Sequence, residues 1–87
     1  MKIIAAAIMK HHMIFTLPAP ARHHAILHIM SGTFGIPQDS YTEQGFLTDT
    51  GNFVSRKAAL IIAADAGQLE ERVKTNPPYE LFSEDLW

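Results

Sequence analysis

The chain has 87 residues, a formal net charge of −2, no cysteine, 47% hydrophobic residues and only 18% charged ones. That length is near the lower bound for a self-sufficient core and fits one domain, 1–87. The missing cysteines exclude disulfides and thiolate metal sites, and the acidic balance argues against generic DNA binding, which calls for a basic surface.

Lys2–Met9 is apolar throughout, and its β-branched Ile3, Ile4 and Ile8 favour a strand buried on both faces over a short helix. Met1-Lys2 and the run behind it resemble a secretory leader. Lys10-His11-His12 cuts that run at the short limit for such a segment, so the chain is expected to be mature and cytoplasmic. No run approaches the ~20 residues needed to span a membrane. Lys10-His11-His12 then reads as a hairpin turn, Met13–Leu17 as the returning strand, and Pro18 and Pro20 as its end.

Ala21–Met30 is expected to be the first helix, with Ile26, Leu27, Ile29 and Met30 on its apolar side and Ser31-Gly32 closing it. Gly32–Glu43 has no clear period and reads as a loop. Gly45–Thr48 and Phe53-Val54 form a second hairpin around Asp49-Thr50-Gly51-Asn52, a composition suited to positive φ. Ser55 is placed to cap a second helix, Arg56–Ala66, that Gly67 ends as its C′ residue. Ala58–Ala64 is apolar all round, so this helix is expected to be buried on more than one side. Leu69–Lys74 reads as a further turn or strand that Asn76-Pro77-Pro78 breaks, Tyr79–Phe82 as a brief pairing segment, and Ser83–Trp87 as a small capped end. The order hairpin–helix, loop, hairpin–helix, tail implies an α+β fold: a small antiparallel sheet of two hairpins with two helices packed on one face, ββαββα-like.

The sharpest chemical signal is basic residues at both helix starts, Arg22-His23-His24 and Arg56-Lys57. A helix N-terminus disfavours cations by a few tenths of a kcal/mol each, so the pattern makes sense where an anion docks on the free N–H groups. Arginine forks suit phosphate, histidine adds a donor, and Phe53 is a candidate to stack on a base. The structural alternative is solvated Arg22, Arg56 and Lys57, with His23 and Phe53 in the core. His24 and His28 share a helix face, but His24 is followed by Ala25 rather than the glutamate of a metalloprotease, so no metal is expected there. No cysteine nucleophile, Gly-x-Ser-x-Gly or Gly-rich phosphate loop is present, and the only catalytic option is acid–base work by His23 or His24.

Gly45-Phe46-x-Thr48, Gly51-x-Phe53-Val54-x-Arg56-x-x-Ala59, Ala63, Ala66-Gly67-Gln68 and Ser83-Glu84-Asp85-Leu86-Trp87, with Arg22-His23-His24 upstream, resemble a family of small, largely uncharacterised phage and prophage proteins. Asn52 stands where that family commonly has Arg, and Ser55 where an acidic residue is commoner. The resemblance implies a phage accessory protein acting in the infected host's cytoplasm. Joined to the basic helix starts, it leads to the expectation of a protein that sequesters a phosphorylated, nucleotide-derived ligand without turnover and without a cofactor, such as a host immune signalling nucleotide. A host-protein interaction module and a His-dependent nucleotide hydrolase are the alternatives. The sparse charge, the apolar second helix and Leu86-Trp87 together imply a homo-oligomer, most simply a twofold dimer.

Overall fold

The computed structural model describes residues 1–69 and 80–87. The turn or strand expected over Leu69–Lys74, the Asn76-Pro77-Pro78 break and the start of the Tyr79–Phe82 segment fall largely or wholly outside them. Strands β1 (Ile3–Lys10), β2 (Met13–Thr16), β3 (Thr42–Thr48) and β4 (Phe53–Ser55) form one antiparallel sheet in the order β2-β1-β3-β4. Helix α1 (His23–Gly32) carries the chain from β2 across β1 to β3, and α2 (Arg56–Asp65) follows β4 directly. Both helices cover the face bearing Ile3, Ala6, Ile8 and Phe46, against which Ile26, Met30, Ala59 and Ala63 are buried. The α+β fold read from the sequence is the fold observed.

The central strand is closed on both faces. Ala6 and Ile8 meet the helices, while Ala5 and Ala7 on the other face are nearly inaccessible because methyl groups are covered by their cross-strand neighbours. A bulge between Ile3 and Ala5 swings Ile4 outward. Lys10, expected in the turn, ends β1 instead. Its ammonium is drawn inside by Asp39 Oδ2 at 2.9 Å and Pro37 O at 2.6 Å. The turn is therefore His11-His12 alone, at φ 50° and 65°.

β3 begins at Thr42, earlier than local composition implies, because Thr42–Gln44 pair with Lys10, Met9 and Ile8 of the longer central strand. The second turn follows expectation, with Gly51 at φ 85° and Asn52 N donating to the buried Thr48 hydroxyl. Gly45 has no room for a side chain. A Cβ there would lie 2.5 Å from the Phe53 ring and closer still to the Val54 main-chain oxygen. Ser55 caps α2 by accepting from Ala58 N at 3.2 Å. Gly67 at φ 73° ends the helix in a Schellman motif, with Gln68 N bonded to Ala63 O and Gly67 N to Ala64 O. The Gln68 amide then bonds both the N–H and the C=O of Ile3, standing in for a neighbouring strand.

α2 is less enclosed than its composition implied. Ala59 and Ala63 are buried, yet Ile61 is 65% exposed because only one stripe of the helix meets the sheet. Leu86 and Trp87 pack against this chain's own core, and the indole N–H donates to Ala21 O at 3.0 Å.

Candidate functional site

A cleft of about 240 Å³ opens where the starts of the two helices meet the C-terminal tail. Its lining takes Arg22, His23 and His24 from the entry to α1, Arg56 from the entry to α2, Gln44 from β3, and Phe82 and Ser83 from the tail. Topology explains the convergence. β2 and β4 run in opposite directions, but the register sets their ends level. Thr16 pairs with Ala7, Ala7 with Gly45 and Gly45 with Ser55, so the chain leaves both strands for its helices at the same height in the sheet.

The two starts differ in their local chemistry. Ser55 caps α2 with its hydroxyl, whereas Arg22 at the N-cap of α1 provides no side-chain cap. Neither helix has an acidic residue in its first turn. The first turn of a helix carries its partial positive charge, so the start of α1, which the Arg22 side chain does not cap, brings that charge to the cleft.

The arginines are held by the tail. Arg22 donates through Nε (3.0 Å) and Nη2 to the main-chain oxygen of Trp87. Arg56 donates through Nη1 to Leu81 O at 3.0 Å and through Nη2 to Gln44 Oε1, with its guanidinium carbon 4.5 Å above the Phe82 ring. Leu81 N returns a bond to Arg56 O at 3.1 Å, and Asp85 accepts from Phe82 N at 2.9 Å to close the 3-10 turn Ser83–Asp85. These side chains therefore fasten the tail as well as lining the cleft. Such fastening orients a guanidinium, which favours binding by reducing the freedom lost with a ligand.

His23 is buried at the back of the cleft, edge-on to Phe46 with ring centroids 4.9 Å apart. Its Nε2 lies 2.6 Å from Gly45 O; a carbonyl only accepts, so Nε2 carries a proton. His24, one residue on, is exposed at the rim. The cleft thus gathers Arg22, His23, His24 and Arg56. Lys57 is exposed on α2 outside the lining, and the Phe53 ring lies over Gly45 on the helix-free face of the sheet. Gln44 and Phe82 carry no local signal that sequence reading could have used; Ser83 was visible only as part of the terminal pattern. Among the described residues, no three His, Asp or Glu side chains gather to hold a metal. No helix there is long and apolar enough to cross a membrane.

Fold and cleft together define a small α+β protein whose helix starts share one polar recess. The chain belongs to the phage T4 y16D protein family, whose model matches residues 2–87. Comparison with curated proteins and with solved structures returned no match.

Proposed function

We propose that this phage protein binds a phosphorylated, nucleotide-derived small molecule in the cleft and holds it without turnover. The observation that carries this reading is the meeting of Arg22 and Arg56, 34 positions apart in the chain, with His24 at the start of α1 in one recess. Phosphate oxygens would accept from the first-turn N–H groups of α1 and from the guanidinium edges, with His24 adding a donor from the rim. His23 holds Gly45 O through its Nε2 proton, which makes it a support for the floor rather than a mobile base. Sequestration of a host signalling nucleotide in the cytoplasm of the infected cell is the role that fits a phage protein with such a cleft.

The test is to incubate the protein with a panel of nucleotides, denature it, and resolve the released molecules by chromatography. One nucleotide recovered unchanged at stoichiometric amount is the expected result. A converted product would replace sequestration with hydrolysis. Retention of no member of the panel would remove the nucleotide reading and leave the host-protein alternative.

A further inference from the structure

The edge strand β2 lacks the features that keep sheet edges apart. Met13-Ile14-Phe15-Thr16 contains no charge, no proline and no bulge, and Met13 and Ile14 are 57% and 45% exposed. The opposite edge differs: β4 has three residues and passes directly into α2, so it offers almost no ladder. Because a two-residue loop closes on the pair Lys10–Met13, the main-chain groups of Met13 and Phe15 turn toward β1. Those of Ile14 and Thr16 turn outward. Beside them, Phe15, Leu17, Ile26, Ile29 and Phe34 line an apolar groove of about 280 Å³ between β2 and α1, with Phe34 62% exposed.

We propose that β2 pairs with β2 of a second copy, antiparallel about a twofold axis centred on Phe15, to make one eight-stranded sheet. This register matches donors and acceptors, because Ile14 and Thr16 of one copy face Thr16 and Ile14 of the other. Phe15 then sits opposite its symmetry mate in a non-hydrogen-bonded pair, where side chains approach most closely. A twofold sets every residue against a fixed mate, so a charged strand would place like charges near one another; this strand has none. The axis stands perpendicular to the sheet and keeps all helices on one face, which brings the two apolar grooves and both Phe34 side chains together across the junction. The short β4 edges remain at the ends, so the assembly closes at two copies. This inference is independent of the cleft and its ligand.

Light scattering from low to high micromolar concentration should show a dimer of the 9.7 kDa chain. Ile14→Lys should weaken the dimer by roughly tenfold or more while leaving the circular dichroism unchanged. Ile61→Lys, on the exposed side of α2, should leave it intact. Hydrogen exchange should find the Ile14 and Thr16 amides protected in the dimer and unprotected in Ile14→Lys. A monomer at every concentration would overturn the proposal. So would a dimer in which both amides exchange freely, or one that Ile61→Lys disrupts and Ile14→Lys does not.

Discussion

The two hairpin–helix halves follow one plan but are built to different standards. In the second, each local requirement has a matching residue: Gly51 at positive φ, Ser55 at the cap, Gly67 at the helix end, and Gly45 where a Cβ would strike Phe53. In the first, two consecutive histidines occupy left-handed backbone at a cost of roughly 1–2 kcal/mol each. There too α1 begins without a side-chain cap, and β2 leaves apolar residues in solvent. Local rules are expected to break where a surface serves something other than folding. The second half is therefore the more fully specified part of the fold, while the first half holds the exposed β2 edge, and the cleft draws on both.

The contrast is most exposed to Gly45→Ala, which should destabilise by about 1–3 kcal/mol or more through forced overpacking, read by urea unfolding. A neutral result would mean that the second half is less tightly specified than its geometry implies.

His12→Gly probes the opposite half and should stabilise by about 0.5–1 kcal/mol, because relief of left-handed strain exceeds the added chain entropy. A loss of stability would show that the turn is held by contacts that compensate its backbone.

The smallest effect concerns Asp39. The hydrogen bond from Lys10, then that from Tyr41 N, hold its carboxyl below the ordinary value of 3.8. A carboxylate with a lowered pKa contributes stability in full above that ordinary value and loses it as pH falls through the lowered one. Asp39→Asn should therefore narrow the gap in melting temperature between neutral pH and pH below the ordinary carboxylate range, by a small amount since the site is open to solvent.

The same division explains what the sequence made legible. Gly51, Ser55 and Gly67 act on their immediate neighbours, so the second turn, the helix cap and the helix end could be read from a few residues. The four-stranded sheet with helices on one face followed from the order of those pieces. Lys10 could not be placed, because its partners Pro37 and Asp39 lie 27 and 29 positions away. The start of β3 depends on pairing with β1, which is equally remote. Arg22 and Arg56 were legible as basic helix starts, yet their attachment to Trp87 and Leu81 was not, being 65 and 25 positions distant. Phe53 has its face set by the register of a three-residue strand, which composition does not encode. Ser83–Trp87 was legible as a capped end, but its fastening to this chain by Arg22 and Ala21, about 65 positions upstream, was not.

The most direct measurement is a titration of the isotope-labelled protein with pyrophosphate, followed residue by residue in the amide spectrum. The largest saturable shifts should fall on His23 and His24 at the start of α1, with smaller ones on the Ser55-capped start of α2. Arg22→Lys should weaken binding by about tenfold, since a point charge replaces a fork, while a melt run alongside reports whether the tail stays attached. Shifts that do not saturate, or that centre on the His11-His12 turn and leave α1 unmoved, would contradict the cleft as the anion site.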